Sequence, residues 1–161
     1  MRTAKAIAGT VVALVLITVA ICYGFLKSQG LSARKKPGKL EYVIANHALS
    51  ISIPASAKNT KNPMKPNADA LAEAGKDYTD HCAPCHARDG AGNTEIAKGL
   101  SPEVPDLRAE HIQKLSDGEM FYIIRNGVRF TAMPASSFQD ERIWRLVLLI
   151  RNFAVTKSRA Q

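Results

Sequence analysis

The sequence predicts an all-α protein, in which one helix long enough to cross a membrane and an irregular linker precede a helical domain. Three observations carry this reading. Residues 6–26 form a 21-residue run without a charge. From residue 69 onward, apolar residues recur at helical spacing between recognisable cap and stop residues. No stretch of that region alternates strongly enough between apolar and polar residues to argue for a sheet.

The first element runs from Ala6 to Leu26 and is preceded by Arg2 and Lys5. A helix rises about 1.5 Å per residue, so about 20 apolar residues cross a bilayer. The competing reading is a cleaved signal peptide, whose apolar core usually has about 7–15 residues. Ser28-Gln29-Gly30 is a tolerable cleavage site, but the length favours an uncleaved anchor over residues 1–27. Bulky Ile21 before Cys22 argues against a lipoprotein signal, and Cys22 reads as a small apolar filler.

Residues 28–68 read as linker. Arg34, Lys35, Lys36 and Lys39 form a basic stretch, followed by Pro54, Pro63, Pro66 and several Asn, Ser and Lys residues. Leu40–Ile53 shows some apolar alternation, and either packs against the domain as extended chain or stays free of it. The foldable domain then covers residues 69–157. Asp69–His81 is rich in helix formers and leads into a cysteine pair. Residues 87–106, with Gly90, Gly92, Gly99, Pro102 and Pro105, mark a loop. Ser116-Asp117-Gly118-Glu119 is a capping box opening a helix through Phe121–Ile124 that closes near Gly127. Residues 128–138 are irregular around Met133-Pro134. Asp140–Lys157 has an acidic start, a basic end, and a broad apolar face of Ile143, Trp144, Val147, Leu148 and Ile150.

The net charge of +8 suggests nucleic acid until it is located. Residues 1–66 carry ten Lys/Arg against Glu41 alone, whereas residues 67–161 carry twelve Lys/Arg against thirteen Asp/Glu. The domain is near neutral and lacks a basic stripe interleaved with aromatics, so no nucleic-acid partner is expected.

The cysteines are Cys22, Cys82 and Cys85, a poor disulfide framework. Cys82-Ala83-Pro84-Cys85-His86 fits the C-x-x-C-H pattern of covalent haem attachment. Two thiols three positions apart on one turn can each add to one vinyl group. The following imidazole then projects over the iron from the same side. A partner ligand must come from far along the chain, and His81 shares the helix of His86. Met133 lies 47 residues beyond His86, in a loop and before Pro134. A thioether opposite His raises the reduction potential and suits a one-electron carrier. Met120 reads as core filler and Met64 lies in the linker, with His111 and His47 next in line as ligands. The loop after His86 is either a plain turn or wraps under the ring, with the Pro105 carbonyl as acceptor for the second imidazole nitrogen. Tyr78, Phe121, Tyr122, Phe130 and Trp144 are candidates to line or flank the macrocycle. Arg125 and Arg129 either pair with propionates or are solvated.

At these residues the stretch from about Leu71 to Phe153 resembles the class I, mono-haem cytochrome c family. The matching pieces, in order, are Gly75-Lys76-Asp77-Tyr78, the Cys82–His86 motif, Gly90-Ala91-Gly92, Pro105-Asp106-Leu107, Leu115–Glu119, Ile124–Gly127, Met133-Pro134 and Trp144. The resemblance implies an all-α cytochrome c fold around one covalent haem c, with first and last helices crossing near Gly75, Tyr78 and Trp144. It also implies a Pro carbonyl bonded to the ligating His, here Pro105. Many members have Gly after the motif histidine where this chain has Ala87, a departure expected to leave ligation untouched.

Rival readings are a thioredoxin-like thiol oxidoreductase, a zinc site, and a peroxidase-like haem enzyme. The first needs an apolar strand before Cys82, where the chain is polar and helical in character. Zinc needs further ligands, and His111 is the spare candidate. A haem enzyme keeps an iron position open, which Met133 closes. The expected role is therefore electron transfer and not enzymatic catalysis, as a carrier or as the haem subunit of a respiratory complex. Its partners would be redox proteins of the respiratory chain or a periplasmic dehydrogenase, met beside a membrane entered through residues 6–26. The positive-inside rule leans toward a cytoplasmic domain, with Lys27, Arg34, Lys35, Lys36 and Lys39 after the span. The resemblance implies the opposite, because bacterial c-type cytochromes receive haem outside the inner membrane. The periplasmic side is expected, with a cleaved and soluble form as the alternative.

Overall fold

The structure, a computed structural model, describes residues 2–29 and 36–159. Gly30 of the possible cleavage site and Arg34 and Lys35 of the basic stretch lie outside the described residues. The chain divides into two compact units, residues 1–35 and 36–161.

In the first unit, α1 (Arg2–Gln29) contains Lys5–Ser28, which is long and apolar enough to cross a membrane and has none of its residues buried. Its Thr10 and Thr18 hydroxyls donate back to the carbonyls of Ala6 and Leu14, so these polar side chains are satisfied within the helix.

The second unit holds α2 (Lys39–Ser52), α3 (Ala55–Asn59), α4 (Ala68–His81), α5 (Ala83–His86), α6 (Glu95–Lys98), α7 (Glu110–Gln113), α8 (Asp117–Asn126) and α9 (Asp140–Arg159). No strand occurs among the described residues. Helix α4 starts where Asn67 Oδ1 accepts the Ala70 N–H at 2.7 Å, satisfying an end donor that no helical carbonyl reaches. It buries Ala70, Ala74 and Tyr78 at four-residue spacing, one face that packs on α9. From α9 come the fully buried Ile143, Leu146 and Val147. Helix α8 has the expected capping box, with Glu119 N–H on Ser116 Oγ at 3.1 Å and Ser116 N–H on Glu119 Oε2 at 2.8 Å. It ends at Gly127, whose φ of 65° suits glycine. Phe121 of α8 stacks on Trp144 of α9 at 4.2 Å, inside a cluster with Met120, Val147 and Ile150.

Two expectations are corrected. Residues 39–52 and 55–59 are helical, not irregular or extended. The segment after α2 also joins the domain. Ile53 is buried, Asn62 Nδ2 donates to the Trp144 carbonyl at 2.9 Å, and Met64 packs on the Trp144 cluster. Gly118 permits this docking, since a Cβ there would come within 1.9 Å of the Ala57 carbonyl oxygen. At Gly75, by contrast, a Cβ would meet nothing within 4 Å. The alanines of α4, rather than Gly75, bring the first and last helices together.

Candidate functional site

Helix α4 runs almost without a break into the motif. Cys82 N–H bonds the Tyr78 carbonyl at 2.8 Å, and the Cys82 carbonyl then accepts from Cys85 at 3.1 Å and His86 at 2.8 Å. Proline at the start of α5 suits a helix beginning, where its missing N–H has no helical partner to lose. The two cysteines and the histidine therefore share one turn. Neither cysteine is in a disulfide, and both are half-buried. Burial, with lesser help from Asp77 and Cys85, pushes the Cys82 thiol up to about 11. Helix α4 continues to serve the turn beyond it, as the Tyr78 hydroxyl donates to the Ala87 carbonyl at 2.8 Å. Burial also holds the Tyr78 phenol well above its ordinary range.

His86 is half-buried, and burial lowers its pKa, so the neutral ring able to donate a lone pair is favoured. The Pro105 carbonyl lies close enough to act as an acceptor and raises that pKa in part. Even so, His86 Nδ1 is buried without a hydrogen-bond partner of ordinary geometry. A neutral imidazole backed by the Pro105 carbonyl, on the same turn as two unlinked thiols, fits a covalently held haem whose iron this ring would hold.

The loop after His86 folds back under it. Gly92 N–H bonds the His86 carbonyl at 2.9 Å, and Leu107 N–H bonds the Gly90 carbonyl at 2.8 Å. Gly92 has a φ of 69°, and a Cβ on it would lie 2.8 Å from the Val104 oxygen and 3.0 Å from the Pro105 oxygen. Arg108 ties the two sides of this loop through Asp89 at 2.6 Å and Asp106 at 2.8 Å. The structure thus joins Cys82, Cys85, His86 and Pro105 in one unit.

Met133 belongs to a separate loop between α8 and α9. Its N–H bonds Thr131 Oγ1 at 3.1 Å, and its carbonyl accepts from Val128 at 3.1 Å. A Cβ on Gly127 would come within 2.7 Å of that carbonyl oxygen. Arg125, considered for a propionate, instead bonds the Phe138 carbonyl at 2.7 Å and pairs with Asp140, closing the far end of this loop. Arg129 is exposed. Of the other methionines, Met120 is buried in the core and Met64 packs against it. His47 and His111 are exposed. Among the aromatics, Tyr78, Phe121 and Trp144 are core residues, whereas Phe130 is 92% exposed with a φ of 62°.

Sequence reasoning noted Ala87 but missed the backbone it must adopt, and it missed the Arg108 clamp. Ala87 has φ 61° and ψ 160°, which no composition rule reveals, although the absence of glycine at this point of the family pattern was a signal. Asp89, Asp106 and Arg108 flank the Gly90-Ala91-Gly92 and Pro105 pieces, and opposite charges at both ends of a loop are a signal as well.

With this geometry in place, the family described as "Cytochrome C oxidase, cbb3-type, subunit III" matches residues 69–150. Among solved structures, a chain of the "Kuenenia stuttgartiensis reducing HAO-like protein complex" is similar in fold, with a TM-score of 0.52 and 19% identity. The match covers 56% of this chain and 46% of that one, so this chain spans just under half the length of the solved neighbour. No curated protein matches the chain.

Proposed function

The chain belongs to the cytochrome c oxidase, cbb3-type, subunit III family of c-type cytochrome domains, and on that premise we propose that it passes single electrons through one haem c that Cys82 and Cys85 would attach and whose iron His86 and Met133 would hold. The observation that carries this reading is His86, backed by the Pro105 carbonyl, on the turn that holds both thiols. A haem bound there supplies an iron that alternates between two oxidation states. The chain's own residues do the rest. Cys82 and Cys85 fix position, and the Pro105 carbonyl orients His86 and raises its basicity. The Met133 thioether favours reduced iron. Met133 is supported by exclusion, because Met120 and Met64 are engaged in the core.

In this reading the domain works on the periplasmic side of the inner membrane, tethered through residues 6–26, and exchanges electrons with redox proteins of the respiratory chain or a periplasmic dehydrogenase. The family's description as an oxidase subunit favours the subunit role over the free carrier.

Acid–acetone extraction should leave the protein coloured, and combined Cys82→Ala and Cys85→Ala should abolish covalent haem. Met133→Ala should lower the potential and admit cyanide, while Met64→Ala and Met120→Ala leave ligation unchanged. Covalent haem in the double variant, or wild-type ligation without Met133, overturns the respective assignment. Protease added to intact spheroplasts should remove the haem-stained domain; protection would place it in the cytoplasm.

A further inference from the structure

Helix α2 presents an apolar stripe against which nothing in the described residues packs. Leu40, Val43, Ile44 and Ile51 occupy positions i, i+3, i+4 and i+11 of one helical face and are 73%, 61%, 59% and 71% exposed. His47, at i+7, is exposed on the same face. Other residues make the contact with the domain. Leu49 is half-buried, Ser50 Oγ accepts from Lys58 Nζ at 3.4 Å, and Ile53 just beyond the helix is buried. Exposed leucines scattered singly are ordinary, but four large aliphatic residues aligned on one helix form a patch that marks an interaction surface.

Two features identify what covers it. Ten residues separate Ser28, at the end of the span, from Lys39, at the start of α2. That makes eleven steps of no more than about 3.6 Å, so the chain from Ser28 to Lys39 reaches at most about 40 Å. Arg34, Lys35, Lys36 and Lys39 fall in this stretch of the sequence with no acidic residue before Glu41, although the domain beyond residue 67 is near neutral; of these, Lys36 pairs with the exposed Glu103 at 2.6 Å. Each Lys or Arg near an anionic headgroup layer favours adsorption by about fivefold. With 14 residues, α2 is about 21 Å long and too short to cross the bilayer, so an apolar stripe beside a basic end suits a helix lying in the interface.

We propose that α2 lies in the plane of an anionic lipid surface, inserting Leu40, Val43, Ile44 and Ile51 among the lipids on the side of the membrane that carries the helical domain. The inference rests on the anchored reading of α1. Its consequence is mechanical. Ile53, Asn62 and Met64 bind the following segment to the domain, so adsorption of α2 restricts how the domain tilts.

The test uses the full haem-loaded chain in vesicles of phosphatidylglycerol and phosphatidylcholine. Cys22→Ser is combined with one nitroxide-labelled cysteine at Leu40, Ile44, Ile51 or, more than about 100° around the helix from these three, Asn46. The ratio of oxygen to aqueous nickel collisions should be several-fold higher at 40, 44 and 51 than at 46. Replacing Lys35 and Lys39 by Gln, which leaves the Lys36–Glu103 pair in place, should reduce that difference. Carbonate extraction of the same vesicles scores the anchor independently. Equal nickel access at Ile44 and Asn46 in a carbonate-resistant chain overturns the proposal. So does shielding of Ile44 that arises only in native membranes, which assigns the stripe to a protein partner. Release by carbonate with Ile44 still shielded upholds the lipid contact and removes the anchor instead.

Discussion

Replacing Ala87 by glycine should stabilise this protein, the reverse of what an alanine-to-glycine change usually does. At φ 61° and ψ 160°, Ala87 occupies a region essentially confined to glycine. A residue with a Cβ pays of order 1–3 kcal/mol to stay there. The surroundings hold it firmly: its N–H bonds the Ala83 carbonyl at 2.9 Å, and its carbonyl accepts from Gly90 at 3.2 Å and from the Tyr78 hydroxyl at 2.8 Å. None of these bonds involves the methyl group, so glycine keeps all of them. Against the relief of strain stands the greater freedom of glycine in the unfolded chain, roughly 0.4–1 kcal/mol. The difference leaves a net gain of about 1 kcal/mol, which raises Tm by about 4–8 °C in a domain of this size.

Thermal and guanidinium unfolding of the haem-loaded chain in detergent, followed by circular dichroism, would measure it. Ala87→Val should move Tm in the opposite direction. In a Tyr78→Phe background the glycine gain should shrink, because residue 87 can relax once the hydroxyl no longer holds its carbonyl. An unchanged or lowered Tm in Ala87→Gly, with ligation spectra intact, would refute the left-handed backbone at this turn.

Two further perturbations test the loops and the helix crossing. Gly127→Ala places a Cβ within 2.6 Å of the Ala135 nitrogen and 2.7 Å of the Met133 oxygen, at a φ of 65°. It should displace the Met133 loop, weakening the red charge-transfer band of thioether-ligated ferric haem and admitting imidazole, with an intact band counting against the assignment. Asp77 is held below its ordinary 3.8 chiefly by the hydrogen-bonded Arg142, at 2.6 and 2.9 Å, against the opposing effect of burial. A depressed folded-state pKa gives stability that is present above 3.8 and lost as pH falls through the folded value. Asp77→Asn should therefore lower the guanidinium midpoint at neutral pH, and the gap to wild type should close in strong acid; a gap independent of pH would refute the pairing.

Helices α4, α8 and α9 are legible in the sequence because side chains close in sequence write their boundaries: the Ser116–Glu119 box, Gly127 as a stop, the acidic opening of α9. The Cys82–His86 turn is legible for the same reason, since its pattern fits within five residues. Helix α2 is not, because LEYVIANHALSISI supports weak alternation and helical spacing at once, and the flanking prolines and lysines suggest linker. What joins the segment after α2 to the domain is the fit of Ala57 and Thr60 against Gly118, a contact between positions about sixty residues apart that no local pattern encodes. The glycine at 118 is visible in the capping box, but its packing role is not. Ala87 shows the same limit: its departure from the family pattern leaves the proposed ligand in place, yet the backbone there needs glycine.

The loops proposed to present the two iron ligands share one physical device. Gly92 lets the Pro105 carbonyl approach beneath His86, and Gly127 lets the Met133 carbonyl close against the end of α8. Both glycines have positive φ, and in both a Cβ would strike a backbone oxygen. Each loop is therefore fixed by backbone contact, which has few alternative arrangements, and not by flexible side chains alone. Helix α9 braces the first loop and the start of α8: Phe153 packs on Gly90 and edge-on to Tyr78, while Arg151 bonds the Leu115 carbonyl and Asp117. An electron carrier gains from such bracing, because ligands that keep their positions in both oxidation states leave little structure to rearrange when the electron arrives. The residues that make the site stiff lie mostly outside the motif that makes it recognisable.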